Sequence, residues 1–305
     1  MVATNNQPDN GVDLKEIIDL FLDKKFFIFA VTSLFAIGSI LYSLSLTNIY
    51  TSSVTLAPVK NSQTAPNMSP QLGSLASMAG INLQAGSSTE TAQYIKKLQS
   101  FSFFEDIISS SEMLPFILAV DTWDSNSNEV IFDKDKYNDI EKKWVANNNY
   151  LTGSRPSNQE AFIKFSKMLK VTKELETGFI NISISHESPY ISRDWLFMIV
   201  DKINNTARKE DKENSENAIK FLNNQISQTQ ISEIREVLSS LLQNQIQTLM
   251  LAEGSKDYLF KVIDPPYASE FKSSPNRSLI CIFATFFGLL VSLIYVLIIH
   301  FYKKN

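Results

Sequence analysis

Two uncharged runs bracket this chain, and they restrict its folding more than any other feature. Phe26–Leu46 reads FFIFAVTSLFAIGSILYSLSL and holds no charged residue over 21 positions; Leu279–Ile299 holds none over another 21. A helix rises about 1.5 Å per residue, so each run covers the roughly 30 Å hydrocarbon core of a bilayer. Twelve residues of the first run and fifteen of the second are Leu, Ile, Phe or Val. Each favours insertion by about 0.3–0.6 kcal/mol near the bilayer centre. A cleaved signal peptide fits the first run poorly, because 25 residues precede it, it is long for an h-region, and no A-x-A site follows. A buried core helix fits the second run poorly, given its length and its basic end at His300, Lys303 and Lys304.

Orientation follows from basic residues near the first span. Lys15, Lys24 and Lys25 precede it, and only Lys60 follows within range, which predicts a cytoplasmic N-terminus. Two spans return the C-terminus to the same side, where Lys303 and Lys304 fit. Lys272 and Arg277 on the outer flank of the second span blunt that signal. The expected organisation is a cytoplasmic segment at 1–25, a span at 26–46, an exterior domain at 47–277, a span at 278–301 and a short tail at 302–305. In a bacterium the exterior domain would be periplasmic and the membrane the inner one.

Within that domain, residues 51–58 (TSSVTLAP) alternate at Val54 and Leu56, and residues 258–263 (YLFKVI) alternate at Tyr258, Phe260 and Val262. Both patterns predict strands, each one tethered to a span, and pairing them would hold the spans side by side. FINISISH, from Phe179 to His186, is the clearest strand, with Ile180, Ile182 and Ile184 on one face. The MLKVTK segment ahead of Gly178 is a candidate hairpin partner. Residues 61–89 carry no charge and are rich in Ser, Gln, Ala, Gly and Pro, which predicts a mobile loop, although LGSLASMAGINL is apolar enough to pack. Ser87 and Glu90 have capping-box spacing ahead of a helix containing Tyr94, Ile95 and Leu98.

The 64 residues from Tyr190 to Glu253 contain neither proline nor glycine. Ser188 and Pro189 suit a helix start, which predicts a long helix over about 189–253. As one straight rod it would run roughly 95 Å. A break is expected in the charged stretch from Arg208 to Asn217. The second half carries an apolar stripe at Leu238, Leu241, Leu242, Ile246 and Leu249 that needs neighbours. Copies of the same chain would supply them; an intramolecular helical hairpin would also do so.

Composition and motifs exclude several chemistries. A net charge of -4 leaves no basic footprint for nucleic acid. One cysteine, Cys281, and two histidines, His186 and His300, cannot assemble a closed Cys/His zinc site within one chain. No phosphate-binding P-loop or G-x-S-x-G elbow occurs. Asp124, Asn126 and Asn128 begin like a calcium loop, but Glu129 and Asp135 stand where glycine and glutamate are needed, which makes a polar turn the simpler reading. No catalytic, cofactor-binding or metal-binding residue is expected. Trp123, Trp144 and Trp195 have the chemistry to stack on sugar rings, and core packing is the competing role for each.

The order of these parts resembles the Wzz family of O-antigen chain length determinants, or polysaccharide co-polymerases. The resemblance rests on DLKEIIDLFLDKKFFI, YTSSVTLAP, GSLASMAGI, ISISHESPYISRDWLFMIVDKIN and YLFKVIDPP leading to SSPNRSLI. The family's proline-rich signature maps onto Pro266 and Pro275, and Gly288 matches a glycine in its second span; Ser269 and Glu270 occupy the stretch of the usual middle proline. The resemblance implies an α/β membrane-proximal domain with a long projecting helix, flanked by two transmembrane helices and assembled as a homo-oligomer. It also implies no catalysis and no cofactor. The implied role is to set the length of chains made by a separate Wzy-type polymerase, with the growing polysaccharide as a further partner. The closest alternative is a transmembrane adaptor of a separate tyrosine autokinase in capsule or exopolysaccharide export; a fused kinase is not expected, since the chain ends at Asn305. A two-span receptor and a doubly anchored periplasmic enzyme are the remaining rivals.

Overall fold

A computed structural model describes residues 14–59, 87–109, 112–145 and 155–304. It divides the chain into two compact units, Met1–Asn48 with Ser273–Asn305, and Ile49–Lys272. The 61–86 part of the expected mobile loop lies outside the described residues.

The first unit is a helix pair with a short leader. Helix α1 (Leu14–Asp23) precedes α2 (Lys25–Ser45), and α9 (Arg277–Lys304) closes the chain. Helices α2 and α9 are each long and apolar enough to cross a membrane, and only 11% and 17% of their most apolar windows are buried. Core helices of a water-soluble fold are mostly covered, so this exposure matches helices that face lipid. Phe27 stacks on Tyr295 at 5.4 Å, and Phe35 meets Phe287 edge-on at 6.2 Å, so the two helices run antiparallel.

The second unit is built on a four-stranded antiparallel sheet in the order β6-β7-β1-β8. Its strands are β1 (Tyr50–Pro58), β6 (Leu169–Lys173), β7 (Ile180–His186) and β8 (Phe260–Asp264). The expected pairing of the strands nearest the two spans is present, with Leu56 opposite Val262. The expected hairpin is also present, with Val171 opposite Ile182. Its turn needs Gly178 at φ +74°, a conformation that costs glycine nothing and other residues some strain.

Alternation decides which sheet face is covered. Val54, Leu56, Ile180, Ile182, Ile184 and Phe260 are all at most 1% exposed. Against them packs α7 (Pro189–Gln228), through Trp195, Leu196, Ile199 and Ile203. Shorter helices α3 (Ser87–Leu98), α4 (Phe101–Ser109), α5 (Leu114–Leu118) and α6 (Asn158–Met168) complete the core with Leu98, Phe104, Ile107, Ile117 and Phe165. Two small hairpins, β2 (Val120–Asp124) with β3 (Glu129–Phe132) and β4 (Tyr137–Asn138) with β5 (Lys143–Trp144), are additions the sequence did not announce. The fold class is therefore mixed α/β with two apolar helices at the ends, and every strand pair described is antiparallel.

The helix expected over about 189–253 is two helices. Helix α7 ends at Gln228, and α8 (Ser232–Gly254) begins after a three-residue turn. The break falls at residues 229–231 and not in the charged stretch from Arg208 to Asn217, which is helical throughout. Ala207 packs with Ala252, and Lys212 pairs with Glu253 at 2.9 Å, so α8 runs back along α7 as an intramolecular hairpin. At 1.5 Å per residue the longer arm measures about 60 Å and the shorter about 35 Å.

Candidate functional site

The described residues contain no cluster of His, Cys, Asp or Glu able to hold a metal ion. Asp124 belongs to the β2–β3 turn. It accepts hydrogen bonds from the Asn126 N–H at 3.0 Å and the Ser127 hydroxyl at 3.0 Å, and these hold its carboxyl below the usual range. What the fold offers is mechanical: a helical arm fastened to a sheet, and a tightly paired set of apolar helices.

The arm is fastened at its root by polar groups on its buried side. Ser188 caps α7 and accepts from the Ile191 N–H. Ser192 donates to the Pro189 carbonyl at 2.9 Å, which leaves its oxygen to accept from Ser52 of β1 at 2.8 Å. Small hydroxyls here let the first turn of α7 lie close against the strand. His186 is fully buried beside them, and its Nδ1 accepts from the Ser188 N–H at 2.9 Å. That assigns the proton to Nε2, which donates to the Phe116 carbonyl at 3.0 Å. The neutral ring satisfies both partners, and burial holds its pKa below the ordinary value against the opposing charge of Glu187.

Asn204 ties the arm to β8. Its Oδ1 accepts from the N–H groups of Leu259 (3.0 Å) and Phe260 (2.8 Å), while its Nδ2 donates to the Phe260 carbonyl at 3.1 Å. One turn further, the charged stretch engages neighbours from three directions. Arg208 donates to the carbonyls of Ser255 (2.8 Å) and Lys256 (2.9 Å), capping the end of α8. Glu210 pairs with Lys97 of α3. The Tyr258 hydroxyl donates to Asp211 at 2.7 Å, although burial still raises the Asp211 pKa above its ordinary value. These partners explain why the charged residues continue the helix instead of ending it.

Along the returning helix, Leu241 is buried within the hairpin, Leu238, Leu242 and Leu249 are half-buried, and Ile246 is 41% exposed. Phe221 and Met250 add exposed apolar surface at 61% and 68%.

In the first unit, Gly288 marks the closest approach of α2 and α9. A Cβ placed there would stand 2.6 Å from the Phe35 Cβ, inside any tolerable contact. Ser39, Ser43 and Ser292 are also buried in this unit, so small residues occupy the seam. At one end of the pair Arg277 donates to the Leu46 carbonyl at 3.2 Å and to Asn48 at 3.1 Å. The antiparallel arrangement brings the start of α2, with exposed Lys24 and Lys25, to the end of α9 that contains Lys303 and Lys304. Pro275 stands half-buried two residues before α9, and its peptide with Ser274 is cis. In the second unit, Pro266 is buried two residues after β8.

Asn204 was not singled out from sequence, and Arg208 and Arg277 were read there only as charge, the one opening the charged stretch and the other flanking the second apolar run. Asn204 had a readable signal, because it interrupts the apolar stripe at Trp195, Ile199 and Ile203, where an unpartnered polar group would be costly.

The family model described as Wzz, chain length determinant protein, matches residues 10–114. No curated protein sequence matches the chain. A solved structure of a full-length bacterial polysaccharide co-polymerase aligns with 96% of this chain and 99% of its own, at 14% identity and a TM-score of 0.40. The matched residues 10–114 cover the first apolar helix, β1 and the start of the domain core, about a third of the chain, and there the chain is similar to the Wzz chain length determinants.

Proposed function

We propose that this chain is a non-catalytic inner-membrane co-polymerase that sets the length of O-antigen chains made by a separate Wzy-type polymerase. The observation that carries this reading is the Wzz match over residues 10–114. Chain length determinants of that family regulate a polymerase and do no chemistry themselves. Two flanking apolar helices and a long helical arm on an antiparallel sheet support the reading.

In this reading both termini are cytoplasmic and the sheet domain is periplasmic. Lys24 and Lys25 share one end of the helix pair with Lys303 and Lys304, in accord with basic residues facing the cytoplasm. Copies of the chain assemble through the apolar side of α8, where Leu238, Leu242, Ile246 and Leu249 remain partly uncovered while Leu241 belongs to the hairpin itself. The prolines at 266 and 275 set the direction of the segments they stand in, because proline holds φ near -65° and donates no hydrogen bond. Replacing both should shift product length or oligomer size; if neither moves, the prolines have no such role.

Deleting the gene and resolving the surface polysaccharide on a gel tests the whole reading. A clustered ladder should become an unclustered one. An unchanged ladder, with loss of capsule or exopolysaccharide export instead, would assign the chain to the autokinase-adaptor class.

A further inference from the structure

An aromatic group in the sheet domain has no part in the core or in the role above. Tyr50, the first residue of β1, meets Trp123 of β2 edge-on at 5.4 Å, and Trp123 in turn meets Tyr190 of α7 at 6.1 Å. Tyr190 is 40% exposed, and Tyr50 and Trp123 are half-buried, so the group lies at the surface. Phe197, seven residues along α7 from Tyr190 and thus on the same helical face, is 50% exposed. Two polar groups at its edge are occupied within the protein. The Trp123 indole N–H donates to Asn128 at 3.1 Å, and Arg193, which lies over the Tyr190 ring, pairs with Asp194 at 2.7 Å.

Covalent distance restricts what such a group can meet. Only residues 46–49 separate Tyr50 from Ser45, the last residue of α2. Five extended steps reach at most about 18 Å. The strand that returns toward the second span is followed by the same kind of residue. Tyr267 is 59% exposed, and Phe271, six residues ahead of Arg277, is 82% exposed. Exposed aromatics therefore stand close along the chain to both apolar helices.

We infer that Tyr50, Trp123, Tyr190 and Phe271 form an interfacial aromatic belt that seats the domain against the headgroup layer of the bilayer. This inference rests on the reading of α2 and α9 as membrane spans. Trp and Tyr favour the headgroup level because one part of the ring is apolar and another polar. Arg193 is engaged by Asp194, and Asp121 and Asp124 stand nearby in sequence, so the surface suits a zwitterionic headgroup layer and not an anionic phosphate. A sugar ring is the competing occupant. It requires hydrogen-bonding groups around the aromatic face, and here the Trp123 indole is taken by Asn128 and Arg193 by Asp194.

The test uses the full chain, with Trp144→Phe throughout so that only Trp123 and Trp195 emit, in phosphatidylcholine nanodiscs carrying a nitroxide on a fraction of the headgroups. Trp195, 7% exposed in the core, serves as the unquenched internal standard. Quenching should be several-fold greater in the unmodified chain than in Trp123→Phe, which keeps an aromatic ring. Phe271→Trp should add a second strongly quenched component. A chain that enters the disc while neither indole is quenched would overturn the inference and leave the membrane-span reading intact. A chain that does not enter the disc would overturn both. Emission that responds to a soluble oligosaccharide but not to the headgroup nitroxide would assign the surface to sugar and overturn the inference.

Discussion

Two antiparallel helix pairs occur in this chain, and they are held together by different means. The pair α2–α9 meets through Gly288, with buried serines at 39, 43 and 292 in the same seam, and keeps its large apolar side chains outside. The pair α7–α8 keeps Leu222, Leu241, Ala207 and Ala252 inside, and carries its charges at the margin. With α2 and α9 read as membrane spans, the medium accounts for the contrast. Between helices in lipid there is no hydrophobic drive, so association depends on close van der Waals approach, which small residues permit. In water, burial of the apolar stripe supplies the drive, and polar groups serve to fix register.

Substitutions can break or sharpen that contrast, and the largest effect is expected where the water-exposed pair is pinned to the sheet. Asn204→Ala would leave the N–H groups of Leu259 and Phe260 and the Phe260 carbonyl, at the start of β8, without this partner. At about 1–3 kcal/mol per buried unsatisfied group, the loss should be about 3 kcal/mol or more. Thermal unfolding followed by circular dichroism would measure it, and Asn204→Asp, which keeps the accepting oxygens, should recover part. A melting curve unchanged by Asn204→Ala would remove this pin from the account.

One substitution type made at three glycines separates the two pairs next. Gly288→Ala must displace Phe35 and should weaken the α2–α9 pairing by about 1–3 kcal/mol. Gly38→Ala, in the same unit but with open space at its Cβ, should leave it unaffected. Gly254→Ala at the end of α8 also meets nothing, and should stabilise the hairpin by about 0.4–1 kcal/mol through the unfolded chain. The membrane pair can be followed by disulfide yield between Phe27→Cys and Tyr295→Cys in a Cys281→Ser background. Equal yields for the two span variants would mean that close approach at residue 288 is not what joins the helices.

The pH dependence at the arm's root should be smaller. Burial lowers the His186 pKa, so the unfolded chain takes up the proton more readily than the folded one. Stability should therefore be level above about pH 6.5, and fall as pH drops from there toward the depressed folded value. Asp211 acts in the opposite sense from about pH 4 upward, because burial raises its pKa and ionisation then costs stability. Chemical denaturation across pH 5–8 would show the slope, and His186→Asn should flatten it. A slope that survives this change belongs to another group. The most local effect is expected from Arg208→Lys, which trades a planar two-bond cap for a point charge. It should cost about 0.5–1 kcal/mol, visible as faster amide exchange at the end of α8 and not in global unfolding.

Much of this architecture was legible because it rests on local pattern. Charge-free length marked the two long apolar helices, period-two alternation marked β1, β7 and β8, and Ser188–Pro189 marked the start of α7. The turn between α7 and α8 was not legible, since Thr229, Gln230 and Ile231 include no glycine or proline. It is held by the Thr229 hydroxyl on the Gln225 carbonyl at 2.8 Å and by Arg235 on the Thr229 carbonyl at 2.8 Å, neither of which a propensity scale reports. Charge density around residues 208–217 pointed to a break there for the converse reason. The groups that neutralise it, Lys97, Glu253 and Tyr258, are remote in sequence.

By itself the amino-acid order determined which segments form helices apolar and long enough to cross a bilayer, which strands hide one face, and where the long helical stretch begins and ends. These outcomes depend on neighbours within a few residues, and solvent selects them by hydrophobic period. Only the tertiary structure decided that the arm doubles back on itself, that Asn204 and Arg208 fasten it, and that Gly288 seats Phe35. Each of those outcomes requires two surfaces to meet, and the free energy of such a contact belongs to neither stretch alone.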